Sequence, residues 1–174
     1  NQIGDEGMKA FSSALSSGSL ANLTDLRLPI NQIGDEGMKA FSGALSSGAL
    51  ATLTILSLST NRIGDAGMTA FADAIKTTDE NPSGSLGSLK ILSFFGNQIG
   101  DAGMIAFADA IKPTDEFPMG ALGALTKLFL SSNQIGDAGM IAFSDALKPN
   151  SNFPMGALDT LTKLWIGANR ASGS

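Results

Sequence analysis

Along this chain, short runs with apolar residues at every second position give way to stretches with apolar residues at steps of three and four. In "LTDLRLPIN" the leucines Leu23, Leu26 and Leu28 precede Asn31. The L-x-L step is the alternation of a short strand with one buried face. The run returns as "LTILSLSTN", "LKILSFFGN", "LTKLFLSSN" and "LTKLWIGAN". After each asparagine the period changes. "GDEGMKAFSGAL" sets Met38, Phe41 and Leu45 at steps of three and four, which is one face of a helix. Strand, turn and helix are therefore the predicted elements, in repeating order.

The repetition extends to wording. "NQIGDEGM" stands at Asn1 and Asn31, "NRIGDAGM" at Asn61 and "NQIGDAGM" at Asn97 and Asn133, with a truncated start at Asn169. Successive starts are 30, 30, 36, 36 and 36 residues apart. Such a period predicts one solenoid over residues 1–174, with about five units that begin at 1, 31, 61, 97 and 133 and a truncated sixth at 169. Both ends read as cut from a longer protein, with no polar capping unit. The signature L-x-x-L-x-L-x-x-N occurs from Leu23 to Asn31, Leu53 to Asn61, Leu89 to Asn97, Leu125 to Asn133 and Leu161 to Asn169, with Phe94 and Ile166 in place of leucine. In this it resembles a leucine-rich repeat protein. The long helical half and the "N-x-I-G-D-x-G" wording resemble the ribonuclease-inhibitor-like subfamily, also found in the ligand-sensing regions of NOD-like receptors. The resemblance covers essentially the whole chain. It implies an α/β fold: a right-handed solenoid bent into a horseshoe arc, parallel strands on the concave face and helices on the convex face.

Residues shared by every unit fit roles in stacking. An amide both donates and accepts, so the asparagine column (Asn31, Asn61, Asn97, Asn133 and Asn169) is expected to satisfy backbone groups where the chain leaves each strand. Asp5, Asp35, Asp65, Asp101 and Asp137 stand where each helix begins and are expected to cap it. A row of calcium ligands is the sharper alternative, but one carboxylate per unit falls short of the six to eight oxygens calcium takes. Glycines such as Gly64 and Gly67 suit tight turns and close packing, since no "GK[ST]" follows to make a phosphate loop. Met38, Met68, Met104 and Met140, with Phe41, Phe71, Phe107 and Phe143, form a hydrophobic ladder under the helices.

Composition narrows the function. The net charge of −5 and pI near 4.5 argue against a nucleic-acid backbone or an anionic membrane surface as partner. Cysteine, histidine and tyrosine are missing, which excludes disulfides and thiolate metal sites and removes most residues that serve as bases and nucleophiles near neutral pH. Neither a cofactor nor a metal is expected. No membrane insertion is expected either, because no apolar run approaches a membrane span and the N-terminus lacks a signal peptide. The compartment stays open, leaning intracellular, since a targeting segment outside this stretch would go unseen.

Information about a partner lies where the units diverge. By alternation, the outward residues of the strands are Asp25, Arg27 and Pro29, then Ile55, Ser57 and Ser59, then Ile91, Ser93 and Phe95, then Lys127, Phe129 and Ser131, and last Lys163, Trp165 and Gly167. Strands lie about 4.8 Å apart, which brings Phe129 and Trp165 within touching range at the same register. Phe95, Phe129 and Trp165, with Ile91, Lys127 and Lys163, are the candidate partner-binding set on the concave face, favouring an acidic protein or peptide. The competing reading packs these rings on each other or on a further repeat.

A second divergence is a six-residue insertion in the last three units, where "SSGA" becomes "KTTDENPSGS", "KPTDEFPMGA" and "KPNSNFPMGA". Proline and glycine make these ordered turns. Phe117, Met119, Phe153 and Met155 line the resulting rim, where sealing the core edge is the favoured role and partner binding the alternative. Asn22-Leu23-Thr24 matches a glycosylation acceptor, but a glycan at the lip of a strand would be awkward.

The reading that follows is a non-enzymatic module that holds a protein or peptide on its concave face. A structural spacer, self-associating through uncapped ends, is the second hypothesis. The ligand-sensing region of an immune-type receptor is a third, by resemblance alone. An enzyme built on Ser57, Ser59, Lys127 and Lys163 ranks last, because an open sheet implies no pocket.

Overall fold

The structure is a computed structural model and describes residues 1–169. Its elements alternate without exception: α1 (Asp5–Ser16), β1 (Asp25–Arg27), α2 (Asp35–Ser46), β2 (Ile55–Ser57), α3 (Asp65–Ile75), β3 (Ile91–Ser93), α4 (Asp101–Ile111), β4 (Lys127–Phe129), α5 (Asp137–Leu147) and β5 (Lys163–Trp165). The five strands form one parallel sheet in chain order, and equivalent residues pair throughout, Leu26 with Leu56, Leu56 with Leu92, Leu92 with Leu128 and Leu128 with Leu164. Each helix packs on the next. Neighbouring helices need about 8–10 Å and neighbouring strands about 4.8 Å, so the stack bends with its sheet on the shorter, inner side. This is the α/β solenoid that the alternating periods predict.

Between the layers runs one continuous core. Leu56, Leu92 and Leu128 are fully buried from the strand side, and Met38, Met68, Met104, Phe41, Phe71 and Phe107 from the helix side. Burial of each such side chain contributes about 1.5–3 kcal/mol. Phe94, in a leucine position, meets the edge of Phe71 with ring centroids 5.1 Å apart. Phe107 and Phe143 stack at 6.4 Å. In the fifth unit the burial weakens: Met140 and Ile166 are half-buried and Leu164 is 40% exposed.

The asparagine column does what its chemistry predicts. The side-chain oxygens of Asn31, Asn61, Asn97 and Asn133 each accept the N–H of the isoleucine two residues into the preceding unit, all at 3.1 Å. Each amide nitrogen donates back to carbonyls at the strand exit; that of Asn97 reaches Leu58 at 3.0 Å and Phe94 at 3.1 Å. The residue before each asparagine is left-handed, with φ of 56° at Ile30, 55° at Thr60, 67° at Gly96, 58° at Ser132 and 56° at Ala168. For the β-branched Ile30 and Thr60 this is strained backbone.

The aspartates act differently from the expectation that each caps its own helix. Each is the first residue of its helix, and the carboxylates of Asp5, Asp35, Asp65 and Asp101 reach across to the helix of the following unit. Oδ1 of Asp5 accepts the N–H groups of Gly34 and Gly37, Asp35 those of Gly64 and Gly67, Asp65 those of Gly100 and Gly103, and Asp101 those of Gly136 and Gly139, all at 2.7 to 2.9 Å. The preceding unit thus satisfies two of the orphan donors that every helix N-terminus carries. This also corrects the turn reading of the glycines. Gly34 has ordinary extended angles, φ −105° and ψ −161°, but a Cβ on Gly37 would stand 2.7 Å from Asp5 Oδ1. The "G-D-x-G" wording therefore records space for the neighbour's carboxylate rather than a left-handed turn.

In the longer units the inserts are turns, as expected. Thr78 and Asn81 exchange backbone hydrogen bonds of 3.1 and 3.0 Å, and Thr114 and Phe117 repeat the exchange at 3.1 Å.

Candidate interaction surface

The outward residues of the strands form rows that cross the sheet. One row is Asp25, Ile55, Ile91, Lys127 and Lys163, and the next is Arg27, Ser57, Ser93, Phe129 and Trp165. Parallel in-register pairing is the cause: with equivalent residues opposite each other, a change between units becomes a change of chemistry along the surface.

At the N-terminal end the rows are self-satisfied. Arg27 holds Asp25 through two bonds, Nε to Oδ1 at 2.9 Å and Nη2 to Oδ2 at 3.0 Å, and that contact raises the guanidinium pKa above its ordinary value. Ser59 links the Ser57 hydroxyl at 3.1 Å to the Ser93 hydroxyl at 2.7 Å. Ser93 is buried rather than outward and open. It pairs in register with the longer Phe129, and its oxygen also takes the Phe95 N–H at 3.5 Å.

At the C-terminal end the chemistry is exposed. Phe129 and Trp165 stack with centroids 4.4 Å apart and planes within 8°. Phe129 is half-buried, whereas Trp165 keeps 45% of its surface open, and Phe95, two residues past the end of β3, keeps 43%. Lys163 places Nζ 5.8 Å from the Trp165 ring centroid, a cation–π distance. Lys127 pairs with Lys163 in register, and among the described residues neither lysine makes an ion pair. Two like charges side by side, with no acid beside them, favour an anionic group between them. Ile91 is half-buried in the same row. Stacking of the rings on each other, which the sequence left open, thus holds together with the exposure of Trp165. It contributes about 0.5–1.5 kcal/mol and immobilises the two side chains in advance.

The rim residues divide. Phe117 and Phe153 are half-buried, whereas Met119 is 57% and Met155 64% exposed. Between them lie Pro118, Pro154 and Asp159, which the reading of the motifs passed over. Alignment of the units offered a signal: Asp159 stands where the preceding units have Gly87 and Gly123, and Met119 and Met155 where the third unit has Ser83. Asn22 is exposed in the turn before β1.

Among the described residues, no three His, Cys, Asp or Glu side chains gather to hold a metal ion. No helix among them is long and apolar enough to cross a membrane. No curated protein matches the chain. A family model does: the leucine-rich repeat matches residues 1–12, 19–42, 49–72, 88–108 and 125–144, more than half of the chain and part of every unit, and the protein belongs to the leucine-rich repeat family.

Proposed function

We propose that the sheet face binds an acidic protein or peptide segment at its C-terminal half. Leucine-rich repeats generally mediate protein–protein interaction and are typically non-enzymatic, and an open, rigid sheet suits recognition better than catalysis. One observation carries the reading: a Phe129–Trp165 stack whose tryptophan is exposed, beside two lysines without an ion pair among the described residues, Lys127 and Lys163, in the adjacent row. The rings supply a preordered apolar anchor, the lysines attract carboxylates, and Phe95 and Ile91 extend the contact toward the centre of the sheet. A helix of eleven or twelve residues in every unit supports placement in the ribonuclease-inhibitor-like subfamily.

The test is fluorescence anisotropy with a labelled peptide rich in Glu and Asp and bearing one aromatic residue. Phe129→Ala with Trp165→Ala is expected to weaken binding at least about tenfold with an unchanged circular dichroism spectrum. Lys127→Glu with Lys163→Glu should lower affinity and flatten its dependence on salt. Full binding by both double variants would move the site off the sheet face.

A further inference from the structure

The loops between helix and strand in the last three units lie side by side, and the surface opens between each pair. A cleft of about 200 Å³ separates the loops of the fourth and fifth units, lined by Pro118, Met119, Phe153, Pro154, Met155 and Asp159. A second, of about 290 Å³, separates the loops of the third and fourth units and is lined by Pro82, Ser83, Gly87, Met119 and Gly123 among others. Met119 borders both, so the two clefts form one groove across three units. Its floor stays open because Gly87 and Gly123 carry no side chain; a Cβ on Gly87 would stand 2.6 Å from that of Ser83.

Charge sets this groove apart from the sheet face. Asp79, Glu80, Asp115 and Glu116 are exposed on the same loops, and Asp159 lines the cleft between the fourth and fifth units. Among the described residues none of the five is in an ion pair. The lysines that lead into the loops are already engaged: Lys76 with Asp73 at 2.8 Å, Lys112 with Asp109 at 2.9 Å and Lys148 with Asp145 at 2.6 Å. What remains is an apolar trough lined by Asp159, with four further acids exposed on the loops that form it. Met119 and Met155 give it adaptable walls, since an unbranched thioether side chain reshapes around what it meets. The methionines of the first four helices, by contrast, are fully buried.

We propose that this groove is a second docking site, for a basic segment of a partner protein that places an aliphatic side chain between Met119 and Met155 and sets Arg or Lys against Asp115, Glu116 and Asp159. It is independent of the sheet face and selects the opposite charge.

The probe is a short labelled synthetic peptide in which single leucines alternate with pairs of arginines, titrated into the full chain by fluorescence anisotropy. Controls carry glutamate for every arginine, or serine for every leucine. Asp115→Lys with Glu116→Lys is expected to weaken binding at least about tenfold, and Met119→Ser with Met155→Ser about fivefold. All four side chains are at the surface, and circular dichroism is expected to confirm that both variants fold. Glu6→Lys, an exposed acid on α1, should leave affinity unchanged; an equal loss there would reduce the effect to net charge and overturn the site. So would undiminished binding by either double variant, or equal binding of the serine peptide. Concentration-dependent self-association that Asp115→Lys with Glu116→Lys abolishes, without peptide binding, would make the groove an interface between copies and overturn the proposed partner.

Discussion

The first two units and the last three are built on the same phrase and differ in what surrounds it. Units of 30 and of 36 residues share the asparagine ladder, the aspartate that caps the neighbour's helix and the methionine and phenylalanine of the core. The short units close from helix to strand through glycines with room around them: Gly48 has φ of 87° and nothing within 4 Å of where its Cβ would be. The long units pin that position. Gly120 has φ of 61°, and a Cβ there would fall on the Ile111 carbonyl oxygen. On the sheet face the first unit neutralises its own charges, whereas the fourth and fifth set half-buried Lys127 and Phe129 beside exposed Lys163 and Trp165, with no ion pair to either lysine among the described residues. Positions that touch the next unit are alike throughout; those that touch only solvent are free to specialise.

Mutations separate the two kinds of position. The largest effect is expected from Asn97→Ala, at the junction of two long units. It strips partners from the Ile63 N–H and the Leu58 and Phe94 carbonyls, and should cost about 3–4 kcal/mol in urea denaturation. Gly120→Ala follows at about 3 kcal/mol, against about 1 kcal/mol for Gly48→Ala, where only left-handed strain is added. Equal costs would erase the contrast between the loops. Asp65→Ala deprives Gly100 and Gly103 of their acceptor and should cost about 2 kcal/mol. Asp137→Ala, whose carboxylate accepts no hydrogen bond among the described residues, should lose only the interaction with its own helix dipole, about 0.5 kcal/mol.

One substitution has the opposite sign. Ile30, 65% exposed with φ of 56°, occupies the position that Gly96 fills in the third unit. Ile30→Gly is expected to raise stability by about 1 kcal/mol, seen as a higher denaturation midpoint. The smallest effect is expected at the exposed Glu36–Lys39 pair. Its hydrogen bond lowers the Glu36 pKa and raises that of Lys39. The glutamate's contribution is therefore present above its ordinary value of 4.5 and lost as pH falls through the depressed value. The lysine's is present below 10.5 and lost as pH rises through the raised value. Both partners are open to solvent, so Glu36→Gln should leave the thermal midpoint at neutral pH within measurement error.

Much of this molecule was legible before it was folded. Strand, helix, period and core came from Leu26, Met38, Phe41 and their copies, because a two-residue and a three-to-four-residue rhythm each admit one way to hide apolar atoms. The Phe129–Trp165 contact was also foreseeable, since equal register makes column neighbours strand neighbours. The aspartate was not. Asp5 stands at the start of its own helix in sequence and in space caps the start of the next helix, at Gly34, 29 positions later, and only the stacking offset between helices says which N–H groups it meets. Ser93 was misplaced for a related reason: alternation tells which way a side chain points, not how tall its neighbours are. The rim divided in the same manner, Phe117 and Phe153 partly covered and Met119 and Met155 open, where a pattern of apolar letters had grouped all four. Periodicity records which side of an element faces the core, a property of the chain and its solvent. Which atoms then meet across units depends on the rise and offset of the stack, and those exist only once the units pack together.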